Sequence, residues 1–73
     1  MTLLDMAPGQ AVQVSGLNAK GSGRRRLLDL GFVPGTRITI VRKSPLGDPV
    51  AYRVRGATIA LRNCDARQVL VER

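Results

Sequence analysis

The sequence predicts a mainly β domain, with five short strands around one core, a short helix after the first strand and a single helical turn before the last. Three observations carry this prediction. Apolar and polar residues alternate in several short runs, which is the period of half-buried strands. Pro-Gly pairs stand before two of those runs, at Pro8-Gly9 and Pro34-Gly35, and fit type II turns. The 73 residues include one cysteine and no histidine, so apolar packing must hold the fold without an internal disulfide or a Cys/His zinc cluster.

Ala11-Val12-Gln13-Val14-Ser15 is the first strand, with Val12 and Val14 on one face and Gln13 on the other. Arg37-Ile38-Thr39-Ile40-Val41-Arg42 repeats the device, with Ile38 and Ile40 facing inward. Between them lies the helix. Ser22 is the expected N-cap, Arg24 to Leu30 supplies helix formers, and Gly31 suits a left-handed C′ position, which lets Phe32 pack back on Leu27. Leu27 and Leu30 share the face that meets the core, while Leu28 points elsewhere. Val50-Ala51-Tyr52-Arg53-Val54-Arg55 and Thr58-Ile59-Ala60-Leu61-Arg62 form a hairpin joined through Gly56-Ala57. Asn63-Cys64-Asp65-Ala66 reads as one helical turn, and Val69-Leu70-Val71-Glu72 as the last strand. Short strands with tight turns close most economically as a small barrel. A single helical turn before the fifth strand is the SH3-like arrangement, so the expected fold is one SH3-like domain over residues 1–73.

The connection Lys43-Ser44-Pro45-Leu46-Gly47-Asp48-Pro49-Val50 is over-specified for a linker. Its prolines fix φ and remove donors, and Gly47 can take φ > 0, so much of the loop shape is written into the covalent chain. The loop presents one apolar side chain, Leu46, beside one carboxylate, Asp48.

Composition narrows the function classes. A domain of this length buries only roughly 60% of its unfolded surface, so the core has little to spare. No run reaches the ~20 apolar residues of a membrane span, and Met1-Thr2-Leu3-Leu4-Asp5 lacks the basic start of a signal peptide; with the sparse cysteine this is the pattern of a cytoplasmic protein without direct membrane insertion. Twelve Lys and Arg against five Asp and Glu give a net charge of +7, which serves solubility and favours acidic partners. There is no histidine base, close carboxylate pair, Ser-centred constellation or P-loop, and nothing singles out an arginine finger.

Three segments and the closing strand, in order, resemble one family. Leu27-Leu28-Asp29-Leu30-Gly31-Phe32-Val33-Pro34-Gly35 has the form LLxLGxxPG. Val41-Arg42-Lys43-Ser44-Pro45-Leu46-Gly47-Asp48-Pro49-Val50 has the form VRxxPLGDPI, with Val50 in place of isoleucine. Thr58-Ile59-Ala60-Leu61-Arg62-Asn63-Cys64-Asp65-Ala66 follows xxLxLRxxEA, with Asp65 where glutamate is common. With Val69-Leu70-Val71-Glu72 they resemble the ferrous iron transport protein A family (FeoA) along nearly the whole chain. The resemblance implies an SH3-like cytoplasmic protein that is not an enzyme and assists the FeoB ferrous iron transporter, a membrane protein with a cytosolic GTP-binding domain. It also implies kinship with the C-terminal domain of iron-dependent repressors, and a transition metal enters only as a family label. The residues themselves do not ask for one. Asp5, Asp29, Asp48, Asp65, Glu72 and Cys64 are scattered, whereas ferrous iron usually takes imidazole or several carboxylates.

The candidate partner-binding residues are Arg24, Arg25, Arg26, Leu28, Leu46 and Asp48. Successive helical residues turn by about 100°, so the three arginines cannot line one face. Cations at a helix N-terminus oppose its dipole by roughly 0.3–1 kcal/mol each, so helix stability does not explain them. They serve either as a solvated face or as guanidinium donors to an acidic partner. Leu28 is either a lone surface leucine or, beside Leu46 or Leu17, part of an apolar patch. Asp48 is expected to bond within its own turn while the stiffened loop meets the partner. The rival reading is a basic SH3-like nucleic-acid-binding or metal-responsive regulatory module, with Arg37, Arg53, Arg55 and Arg62 on a sheet face. Its weakness is that Phe32 and Tyr52 are the only rings available for base stacking.

Overall fold

In the computed structural model, which describes all residues Met1–Arg73, the chain runs through β1 (Ala11–Leu17), α1 (Gly21–Leu30), β2 (Arg37–Lys43), β3 (Val50–Val54), β4 (Ala57–Leu61), α2 (Asn63–Ala66) and β5 (Val69–Glu72), after a 3-10 turn at Leu3–Asp5. The strands make one antiparallel sheet in the order β4-β3-β2-β1-β5. The expected barrel is therefore a curled sheet, not closed by hydrogen bonds between β4 and β5. Register shifts between Val14 and Gly16 and between Ile40 and Arg42 mark the bulges that bend β1 and β2. The connection from β4 to β5 carries α2 between the two edges, and Ala66 of α2 is fully buried.

Period-2 alternation places the core as the sequence predicts. Val12, Val14, Ile38, Ile40, Val50, Tyr52, Val54, Leu61, Val69 and Val71 all face inward and are buried. The fifteen buried apolar residues form a single cluster, and no polar or charged side chain is buried with them. Ile59 and Leu30 pack against that cluster from its margin. The Pro-Gly turns form as expected: Gly9 and Gly35 have φ of 90° and 94°, and the turn-closing bonds run from Gln10 N to Ala7 O (3.1 Å) and from Thr36 N to Val33 O (2.9 Å).

Three local expectations are corrected. The helix starts before Ser22: its N-cap is Lys20, whose side chain makes no capping bond, and Gly21 enters the helix with φ 61°, open to a residue without a Cβ. The β3–β4 turn is Arg55-Gly56 rather than Gly56-Ala57. Both turn residues have positive φ (51° and 82°), the type I′ geometry whose twist suits a two-residue hairpin. The third concerns Asp48, whose carboxylate bonds the start of α2 instead of its own turn.

The helix ends as its sequence requires. Gly31 takes φ 106°, its N–H donates to Leu28 O (3.0 Å), and the Phe32 N–H donates to Leu27 O (3.0 Å). This turn delivers Phe32 into the core, edge-on to Tyr52 with centroids 6.3 Å apart and planes at 87°. A Cβ at position 31 would lie 2.9 Å from Val54 Cγ1, so the position rejects a side chain on both conformational and steric grounds. Gly9 has a similar φ but nothing within 4 Å of the corresponding point. Gly31→Ala is accordingly expected to cost about 2–4 kcal/mol, and Gly9→Ala about 1–2 kcal/mol, in urea denaturation. Equal costs would show that the Val54 contact relaxes freely.

Candidate partner-binding site

The three arginines of α1 divide between two faces. Arg26 Nη1 donates to Asp65 Oδ2 at 2.7 Å, a pair that ties α1 to α2. Arg26 is 57% exposed in its side chain, so the pair contributes geometry more than energy, about 0–1 kcal/mol. Arg24 and Arg25 are exposed and form no ion pair. With Gly21, Leu28 and Asp29 they line a shallow groove along the helix. Leu28 is half-buried there and does not belong to the core. Its neighbours are thus helical: neither Leu46 nor Leu17 reaches this groove, and Leu17 packs against the core instead.

The proline loop is ordered by bonds at three levels. The Ser44 N–H donates to Pro49 O (3.2 Å) at its neck, and the Gly47 N–H donates to Ser44 O (2.8 Å) across a turn with Pro45 and Leu46 at its tip. The Asp48-Pro49 peptide is cis. Asp48 does not bond its own turn as expected. Its Oδ1 accepts from the backbone N–H of Asn63 (3.0 Å), the first residue of α2, while Asn63 Nδ2 donates back to Gly47 O (3.0 Å). A free helix N-terminal N–H stands within reach of the Asp48 carboxylate, and a carboxylate there also suits the helix dipole. The clamp leaves Leu46 at the tip with 94% of its surface exposed, the most exposed large apolar side chain of the chain.

Asn63 is the site residue that sequence reasoning missed. Its partner lies fifteen residues away, and no local pattern signals such a contact. Together the Asp48–Asn63 clamp and the Arg26–Asp65 pair join the loop, α2 and α1 in one series of contacts. The same clamp shapes Tyr52. Burial, with the Asp48 carboxylate nearby, pushes its phenol from 10.0 up to about 12.

Other chemistries find less material. No three His, Cys, Asp or Glu side chains come together, and the carboxylate of Asp65, beside the exposed Cys64, is engaged by Arg26. Phe32 and Tyr52 are both buried, so the basic sheet face offers no ring for base stacking. No helix is long and apolar enough to cross a membrane.

The fold and these features define a small SH3-like domain with a helix and a braced loop at its surface. The FeoA domain family matches residues 1–73, and the chain belongs to that family. A fusion protein of Fe(2+) transport protein A and the Fe(2+) transporter FeoB from Porphyromonas gingivalis is 38% identical over 72 residues, which are 99% of this chain and 8% of the fusion protein. The solution structure of a FeoA-like protein from Clostridium acetobutylicum is 39% identical with a TM-score of 0.92, covering 99% of this chain and 84% of that one. The zinc complex of FeoA from Stenotrophomonas maltophilia, described as a prokaryotic SH3 domain protein, is 33% identical with a TM-score of 0.86, covering 99% and 89%. The expected repressor kinship appears in the fold alone: IdeR of T. acidophilum is 21% identical with a TM-score of 0.83, over 97% of this chain and 32% of that one.

Two measurements check the braced loop. Asp48→Ala leaves the Asn63 N–H without its acceptor and is expected to lower stability by about 1–2 kcal/mol, with faster hydrogen exchange at the Gly47 amide. Unchanged exchange would mean that the prolines alone hold the loop. Tyr52 gives a pH test, since the folded state holds the phenolic proton more tightly than the unfolded chain. Its contribution is full below pH 10 and is lost as pH rises through about 12, a fall of about 2–3 kcal/mol. As this is the only tyrosine, phenolate absorbance should report the same midpoint, and Asp48→Asn should lower it.

Proposed function

We propose that the chain is a non-enzymatic, cytoplasmic accessory protein of ferrous iron transport that docks on the cytosolic GTP-binding region of FeoB. The observation that carries this reading is covalent: in the P. gingivalis relative an equivalent domain and FeoB are one polypeptide. A fused pair keeps each part at high effective concentration for the other, which is the arrangement expected of domains that act together. The chain spans about 8% of that relative's length, so transport itself belongs to the larger part.

The docking surface combines the exposed Arg24 and Arg25, the half-buried Leu28 and the loop tip at Leu46. Unpaired guanidinium groups supply attraction and orientation towards acidic residues. Leu46, held out on a loop whose ordering entropy is already removed, supplies the apolar anchor. Arg26 and Asp48 hold intramolecular partners and act by fixing that geometry.

Binding of the full chain to the FeoB cytosolic region and to the intact transporter, with nucleotide varied, tests the proposal. Arg24→Glu with Arg25→Glu is expected to weaken binding about tenfold and to flatten its salt dependence, and Leu46→Ala to weaken it about tenfold with the salt dependence unchanged. No binding in any nucleotide state, to either form of the transporter, overturns the reading.

A further inference from the structure

The base of the proline loop and the adjoining strands carry a second surface, built from side chains other than Arg24, Arg25, Leu28 and Leu46 and independent of the FeoB reading. Alternation that buries Val50, Tyr52 and Leu61 turns Ala51 and Ala60 outward, where they pair across β3 and β4. They floor a concavity of about 440 Å³ walled by Pro45 and Pro49. Arg42 and Lys43 stand at its rim, both exposed and neither paired with a carboxylate. Ser44 lines it as well, and its hydroxyl oxygen is buried without a hydrogen-bond partner. Two free cations and an unused hydroxyl around a small-residue floor are groups that a carboxylate would satisfy.

This concavity adjoins a free strand edge. β4 pairs only with β3, whereas the β5 edge is covered by the Thr2–Leu70 bridge and a bond from Val71 N to Met1 O (2.9 Å). In a two-residue hairpin the closing pair, here Val54 and Ala57, is a hydrogen-bonded one, and bonded and unbonded pairs then alternate. The Arg53–Thr58 and Ala51–Ala60 pairs are therefore the unbonded ones, and the N–H and C=O groups of Thr58 and Ala60 point away from the sheet. No backbone bond outside the strand ladders involves either residue. A second copy of the chain is a poor occupant, because two chains that each carry a net charge of +7 repel one another.

We propose that β4 and the Arg42–Lys43–Ser44 concavity form a docking site for an extended acidic segment of another protein, which adds as a sixth strand and places a carboxylate in the concavity. Backbone pairing supplies the register and the cations select acidic side chains. The free amides on alternate residues of β4 favour a peptide over nucleic acid or an anionic membrane, which offer charge without a matching ladder.

A titration of the isotope-labelled full chain with a synthetic peptide alternating Thr and Glu tests this by NMR. The expected result is shift changes at Thr58, Ala60 and Arg42 to Ser44, with slowed exchange of the Thr58 and Ala60 amides. Arg42→Glu with Lys43→Glu should weaken binding at least tenfold, and so should replacing Glu by Lys in the peptide. The deciding control alters the peptide and not the protein: N-methylation at alternate amides keeps its charge and removes its pairing, and should also cost at least tenfold. Undiminished binding of the N-methylated peptide, no protection at Thr58 and Ala60, or equal binding of an oligonucleotide or of phosphatidylserine vesicles would each overturn the strand-addition site.

Discussion

The edge-to-face contact of Phe32 and Tyr52 is the constraint on which the rest of the structure depends. These are the only two aromatic rings of the chain, and both are buried at its centre. A domain this small has one core and no disulfide to fall back on, so its largest buried side chains must come from elements that otherwise would not meet. Phe32 comes from the end of α1 and Tyr52 from the middle strand of the β2–β4 ribbon. Their contact needs the helix to stop at Gly31 and turn inward, which the left-handed glycine and its two carbonyl bonds achieve. That ending, with the burial of Leu27 and the Arg26–Asp65 pair, sets the position of α1 and with it the direction in which Arg24, Arg25 and Leu28 face.

How much of this was legible in the sequence depends on whether the cause is local. Strand faces were readable because alternation needs only neighbours two residues apart, and Val12, Val14, Ile38 and Ile40 fall where that rule puts them. The helix ending was readable because Gly31 and Phe32 hold their own capping partners within one turn. The helix start was not, since Gly21-Ser22-Gly23 lets several residues serve as its first and Ser22 does not act as a cap. The β3–β4 turn slipped by one residue because Arg55, with φ 51°, occupies a conformation that its residue type does not advertise. At the candidate site the loop was identifiable from its prolines and glycine. Its attachment was not, because the Asp48–Asn63 and Arg26–Asp65 contacts join residues 15 and 39 positions apart. The open sheet also departs from the expected barrel for a non-local reason: alternation within each strand does not specify whether the two end strands meet.

Those long-range contacts have a consequence for recognition. Without them the proline loop would be stiff but free to swing about its ends at Lys43 and Val50. With Asp48 and Gly47 held by Asn63, and Asp65 held by Arg26, the loop and the helix sit in a fixed relation through α2. Neither contact is worth much energy alone, since both lie near the surface. Their value is that a partner meeting Leu46 and the Arg24–Arg25 groove finds both already positioned and has no loop to order.

The charge of the molecule divides the same way between steering and fitting. With a net charge of +7 and one ion pair, nearly all its cations are uncommitted, so approach to any acidic surface is accelerated and depends on ionic strength. Such a field is not selective by itself, because it attracts nucleic acid, lipid and protein alike. Selectivity has to come from features that only one class of partner matches. In the proposed FeoB contact that feature is the exposed Leu46 tip together with the separate basic groove of α1, which would reward a folded surface that reaches both. On the sheet side it is a row of free amides beside two cations, which rewards an extended chain. The two faces ask for different shapes of the same charge. The two readings draw on different side chains, Arg24, Arg25, Leu28 and Leu46 in one and Arg42, Lys43 and Ser44 in the other, and they meet only at the proline loop that both use as a frame.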